Sequence, residues 1–326
     1  MSRNNRWIVA LACALLAIGA APAQGQDKWP SRPVVYVVPF PPGGNTDTLA
    51  RLINQKLGAA LGQPVVIENK PGAGGNIGSD FVAKSKPDGY TILGGTISSH
   101  AINQSVYPSM PYDAVKSFEP VILLGSNPLV LAVNASTPYK TLKEVLDAAK
   151  SKPGQLAFAS PGSGTSPHLA GELLKMLTHV DITHVPYKGS GPALSDVIGG
   201  QVPIIIDTTI VLGPQLKAGK LRPLAVAYPQ RLSTLPDVPT AAEAGVPGWE
   251  VVSWQAVFAP AGTPKPIVQR LNAEIARIMK TPEVQARLAD MGVEIGGGPP
   301  EQLGEFQKAE IAKWSKVVKA AGVKPE

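Results

Sequence analysis

Val34 to Asp47 reads VVYVVPFPPGGNTD: an apolar run, a turn of prolines and glycines, and the start of a helix. The first part, VVYVVPF, is apolar at almost every position, as a strand covered on both faces should be. Pro41-Pro42-Gly43-Gly44-Asn45 interrupts it. A helix is predicted from about Thr46 to Leu61, because Leu49, Leu52, Ile53, Leu57 and Leu61 recur on one face. A strand that ends in a Gly-rich turn and feeds a helix is the repeating unit of α/β proteins.

Outward from this unit the pattern recurs. A second strand is predicted at Pro64 to Glu68, followed by Pro71-Gly72-Ala73-Gly74-Gly75 and a helix near Ile77 to Lys86. A third strand, Tyr90 to Gly94, opens into Thr96 to His100. Around Phe118 to Val133 two apolar stretches, PVILLG and PLVLAVN, flank Ser126-Asn127-Pro128, which reads as a first crossing between domains. Further βα units follow, with strands at Leu156 to Ala159, Ile182 to Val185 and Pro203 to Asp207, and helices at Pro167 to Leu177 and Pro192 to Ile198. Next come a strand at Leu224 to Ala227 and a short helix near Ala241. VVSWQAVFA from Val251 reads as the return crossing, and helices are predicted at Lys265 to Met279, Pro282 to Met291 and Pro300 to Lys319. The expected class is α/β with largely parallel sheets, residues 24–125 and 253–326 forming one lobe and 126–252 the other. Two crossings build a hinge around a cleft, an arrangement suited to closing over a ligand.

The first residues predict export. Arg3 and Arg6 precede an apolar run from Trp7 to Ala20, and Ala21-Pro22-Ala23 supplies small side chains for a signal peptidase. The run is shorter than the roughly 20 residues that a membrane span needs. Residues 1–23 are therefore read as a leader cleaved near Ala23, which places the mature protein outside the cytoplasm. Cys13 is the chain's one cysteine, so the mature chain would have neither disulfides nor thiolate chemistry. Without Arg3 and Arg6, 28 of the 30 basic side chains remain against 24 acidic ones, a mild excess with no basic run of the kind that nucleic acid favours.

Three segments join a strand end to a helix start through Gly or Ser, and in open α/β sheets such turns gather where ligands bind. Free N–H groups and the positive end of the helix dipole suit a carboxylate or phosphate there. The first segment holds Phe40, Pro41, Gly43, Gly44, Asn45 and Asp47. Its glycines admit close backbone approach, and Thr46 or Asp47 can cap the helix. On this reading Gly43→Val should obstruct the ligand. The second is Ser160-Pro161-Gly162-Ser163-Gly164-Thr165, leading to Pro167 and His168; its hydroxyls and glycines offer donors to one oxyanion. The third runs from Thr96 through Ser98 to His100. Asp207, after the apolar run VPIII, sits where a strand-end acid faces a cleft, and Tyr187 and Lys188 lie at another strand end. Each segment also has a plainer reading as an ordinary turn whose glycines and hydroxyls serve only the backbone.

The chain lacks G-x-S-x-G and the phosphate-binding G-x-x-x-x-G-K-[ST], and Gly72-Ala73-Gly74-Gly75-Asn76-Ile77 fails the dinucleotide fingerprint at its last position. His100, His168, His179 and His184 show no paired metal-ligand spacing. No cofactor, metal or catalysis is expected. A hydrolase would have to improvise Ser163 with His168 or His100.

In order along the chain, WPSRPVVYVVPFPPGGNTDTLAR, VVIENKPGAGGNIGSDFVAKSKPDGYTIL, FASPGSGTSPHLAGELLK, HVPYKGSGPALSDVIGGQV, LKAGKLRPLAV and LPDVPTAAEAGVPGWEVVSWQAVFAPAGTPKPIVQRLN resemble the extracytoplasmic solute receptors of the tripartite tricarboxylate transporters, the Bug-type receptors. The resemblance implies a two-lobed, type II-like periplasmic binding fold with its ligand in the cleft. It implies a small carboxylate held by backbone amides near Phe40 to Asn45, with Ser160 to Thr165 and Asp207 contributing from the opposite lobe. It also implies a monomer that delivers its ligand to a membrane permease. Two departures are local: Pro41-Pro42 stands where small residues are common, and Thr208-Thr209 follows Asp207 where asparagine is common. A sensory partner of a signalling protein would use the same binding chemistry.

Overall fold

The computed structural model describes residues 29–322; the leader read at residues 1–23 lies outside them. The opening unit forms as its pattern dictates. Strand β1 (Val34–Val38) is buried at four of its five positions and runs into helix α1 (Asn45–Leu61). The apolar stripe of α1, Leu49, Ile53, Leu57 and Leu61, is buried, and it packs with Val34, Tyr36 and Val38 of β1. Strand β2 (Val65–Asn69) pairs parallel with β1, as does β3 (Thr91–Thr96) on its other side. Helix α2 (Asn76–Ala83) connects them. A π-helical turn, Ser98–Ile102, leads from β3 into the single turn of α3 (Asn103–Val106).

The expected pair of apolar stretches is one strand, β4 (Phe118–Asn134). Register shifts at Pro120/Ile122 and Leu123/Gly125 absorb Pro120 and Gly125 as irregularities within a continuous ladder. Helix α4 (Leu142–Ser151) follows, closed by a full capping box between Thr141 and Glu144. Then come β5 (Ala157–Ser160), α5 (Ser166–Thr178), β6 (Thr183–Pro186), α6 (Ser190–Ile198), β7 (Ile204–Thr208), α7 (Thr209–Lys217) and β8 (Leu221–Val226). β9 (Val252–Pro260), α8 (Lys265–Met279), α9 (Pro282–Asp290), β10 (Glu294–Gly297) and α10 (Pro300–Ala321) complete the chain.

The strand order is β2-β1-β3-β9-β4-β7-β5-β6, with β8 and β10 also on β4. The flanks are parallel, but β4 and β9 run antiparallel to their neighbours. The sheet is therefore mixed rather than largely parallel. The chain returns between the two halves along strands with no crossover helix, and direct returns leave strands antiparallel. β4 pairs with β9 from Phe118 to Pro128, then with β7 from Leu129 to Val133, so it passes from one half to the other at Pro128. β9 makes the reverse passage near Val251, whose N–H bonds the Ala227 carbonyl and whose carbonyl accepts from Leu129.

Three local expectations fail. The segment at Ala241 is a hydrogen-bonded turn, tied by reciprocal bonds between Thr240 and Glu243; the capping chemistry is present, but no helix continues from it. α4 and α7 form where no helix was expected. In α7 an internal Pro214 obscures the periodicity. Helix α10 is tied down by Glu310, whose Oε2 accepts from the indoles of Trp254 (3.1 Å) and Trp314 (3.0 Å). Gln307 donates to the carbonyls of His100 and Ala114.

Candidate ligand-binding cleft

The strand ends of both halves face one cavity of about 480 Å³, its open mouth included. Gly44, Thr165, Gly189 and Thr208 line it, and they are the N-cap residues of α1, α5, α6 and α7. None of these helix starts has a side-chain cap. Their first N–H groups have no partner within the helix, and their dipoles add positive potential at the same place. Among the described residues no Lys or Arg lines the cavity, so the positive potential there comes from the backbone.

On the β1 side the loop is clamped from behind. Asp47 accepts from the Gly43 N–H (2.9 Å), from Arg51 Nε (2.8 Å) and from Asn69 Nδ2 (2.9 Å), and Asn69 also donates to the Phe40 carbonyl. Burial pushes the Asp47 carboxyl up, but the hydrogen bonds from Arg51, Gly43 and Asn69 and the Arg51 charge outweigh it and hold the pKa below its ordinary value. Asp47 thus fixes the loop from outside the cavity and is not the helix cap. With the loop held, Asn45 projects an amide whose Nδ2 and Oδ1 are both buried with no hydrogen-bond partner among the described residues. Beside it Thr46 donates to Gln255 Oε1 (2.8 Å), and Gln255 Nε2 donates to Ser253 Oγ.

On the opposite side, Gly189 N–H donates to the Pro161 carbonyl and Tyr187 N–H to Ser160, which joins the turns before α5 and α6. The Oδ1 of Asp207 accepts its neighbour's N–H, from Thr208 (2.7 Å), while Asp207 Oδ2 and Thr208 Oγ1 are buried without a partner. Burial raises the Asp207 pKa to about 6, against the lowering effect of Thr208 and the adjacent Ser190 hydroxyl.

Of the residues singled out from sequence, Phe40, Pro41, Gly44, Asn45, Thr96, Ser98, Thr165 and Asp207 line this cavity. Gly162 and Ser163 line a second, wider recess on the other side of Phe40 and Pro41, together with the turn at 71–75 and Tyr107. Gly43 lies outside both. It has φ +81°, and a Cβ added there would meet nothing within 4 Å, so a substitution would strain the loop rather than obstruct a ligand. Ser160, Gly164, His168 and His100 stand behind the walls. Ser160 Oγ is 2.6 Å from His184 Nε2, Gly164 N–H donates to His168 Nδ1 (3.1 Å), and the two imidazoles stack at 3.9 Å. His100 is fully buried, stacked on Phe258 and bonded to Ser99. Neither His168 nor His100 pairs with Ser163, whose hydroxyl has no partner among the described residues.

Sequence reasoning missed Thr46, Ser166, Ser190, Thr208, Ser253 and Gln255 as lining residues. Ser190 and Thr208 begin helices after strand ends, a signal already in the pattern. Ser253 and Gln255 lie inside β9 and carry none.

Residues 49–323 match the family described as tripartite tricarboxylate transporter family receptor. An R. palustris protein solved with adipate is 44% identical with a TM-score of 0.89, covering 91% of this chain and 100% of that one. The periplasmic binding protein BugD is 36% identical with a TM-score of 0.87, covering 91% and 100%. MatC from Rhodopseudomonas palustris, solved with malate, is 39% identical with a TM-score of 0.85, covering 89% and 100%. With its two-lobed periplasmic-binding-protein fold and its cleft of helix starts, this chain belongs to the tripartite tricarboxylate transporter receptor family.

Proposed function

We propose that the protein is an exported periplasmic receptor that captures a small carboxylate between its lobes and delivers it to a tripartite tricarboxylate-type membrane permease, without catalysing a reaction. The observation that carries this reading is the meeting of four uncapped helix starts on a cavity with no basic side chain. An array of backbone donors recognises a carboxylate by geometry, and it leaves the rest of the cavity to read the remainder of the ligand. The leader at residues 1–23, cleaved near Ala23, fits export, and among the described residues no helix is long and apolar enough to cross a membrane. Residues 24–125 and 253–326 would form one lobe and 126–252 the other, and the mature protein would act as a monomer. The adipate and malate bound by similar receptors are both carboxylates of suitable size.

The test is a thermal-shift screen of the refolded, ligand-free protein against mono-, di-, tri- and aromatic carboxylates, with neutral sugars as controls. A ligand that binds only the folded state adds about 2.7 kcal/mol at one hundred times its Kd. A saturable upward shift with one carboxylate class is expected. Shifts confined to sugars, or none at all, would reject the reading.

A further inference from the structure

Resting on the carboxylate-receptor reading, we infer that Asp207 determines specificity, selecting carboxylates that bring a hydroxyl or ammonium donor to it over those of the same skeleton without one. The cavity attracts an anion through its helix starts, yet it also contains a carboxylate of its own. Asp207 is only 2% exposed, lines the cavity and keeps Oδ2 without a hydrogen-bond partner among the described residues. No Lys or Arg among the lining residues compensates it. Thr208 Oγ1 and both amide atoms of Asn45 are likewise buried and unpartnered, so the lining presents an acceptor-rich group together with groups able to orient a ligand hydroxyl. Two bare carboxylates enclosed in one low-dielectric cavity repel each other. A donor on the ligand removes the conflict by hydrogen bonding Oδ2, and a charged acceptor makes such a bond stronger than a neutral one. A ligand lacking the donor leaves a buried polar atom unsatisfied, which is how sites built to bind a hydroxyl or amine reject the analogue without it. Burial raises the pKa of Asp207, although Thr208 and the Ser190 hydroxyl favour its charged form.

The experiment is calorimetric titration of the mature protein with matched acids of two chain lengths: malate and aspartate against succinate, and 2-hydroxyglutarate and glutamate against glutarate. At the chain length that fits, the hydroxy or amino acid should bind about tenfold or more tightly than the plain diacid. Which of the two does so identifies the donor. In Asp207→Asn the preference should shrink at least severalfold, because the acceptor loses its charge, and in Asp207→Leu it should vanish while the plain diacid still binds. The ligand-free Asp207→Asn protein should melt no lower than the wild type, since its amide oxygen still accepts from the Thr208 N–H and Oδ2 loses no partner. Equal or tighter wild-type binding of the plain diacids overturns the inference while leaving the receptor reading intact. The same holds if the preference is unchanged in both variants. Failure of all six acids to bind overturns the inference, and the receptor reading falls with it only if the wider carboxylate screen is silent too.

Discussion

At the residue scale, the cavity lining holds polar atoms with no hydrogen-bond partner among the described residues. Asn45 is the clearest case: its amide is desolvated and unpartnered, while its neighbours Thr46 and Asp47 are bonded to Gln255 and to Asn69 and Arg51. Asn45→Ala therefore removes no protein hydrogen bond. Its melting temperature without ligand should stay within the scatter of a surface change, about 0.5 kcal/mol. The affinity for a carboxylate ligand should fall by roughly 1–3 kcal/mol, as for a lost hydrogen bond to a charged group. Calorimetry checks this, and an unchanged Kd would remove Asn45 from the site. The neighbouring glycines divide their tasks differently from the sequence expectation. Gly44 lines the cavity, whereas Gly43 supplies a left-handed turn that a side chain would strain.

At the element scale, the loop from Ser160 to Thr165 rests on the stacked imidazoles of His168 and His184. Burial lowers His168 to about 4, with Lys175 adding to the effect; it lowers His184 to about 3, with His168 and Lys175 adding; and burial alone lowers His100 to about 3. The unfolded chain takes up these protons near pH 6.5, and the folded chain resists until far lower. Their contribution to stability is thus complete above about pH 6.5 and is lost as pH falls toward 4. Asp207, raised to about 6, acts in the opposite direction over part of that window, but three histidines outweigh one aspartate. The melting temperature should drop between pH 6.5 and 4 by on the order of 5–10 °C. A flat profile over that range would show that the imidazoles are not held neutral.

At the scale of the whole molecule, the halves are linked by β4 and β9 and touch across the cleft. A Cβ placed on Gly189 would stand 2.7 Å from Pro41 Cγ, and one on Gly164 would stand 2.9 Å from Asn103 Oδ1. On the proposed hinge-closure reading, the joint would lie where β4 changes partners at Pro128 and the chain crosses back near Val251. X-ray scattering should report a smaller radius of gyration with saturating ligand than without. Superimposable profiles would argue against hinge closure.

The sequence by itself determined the class of the protein and several of the turns that line its cavity. Strand, Gly-rich turn and helix are local patterns, set by side-chain periodicity and by backbone angles that few residues tolerate. Residues such as Gly44, Asn45 and Thr165 could be singled out for that reason, and the order of the segments carried the family. The tertiary structure alone decided which faces of those turns meet. It turned Asp47 outward into a clamp, set His100 and His168 behind the walls, and drew Ser253 and Gln255 of β9 into the cavity. It also fused two apolar stretches into the single strand β4 and made the sheet mixed. These outcomes depend on contacts between residues far apart in the chain, such as Thr46 with Gln255. A local pattern contains no information about which distant partner will compete for a side chain's hydrogen bonds.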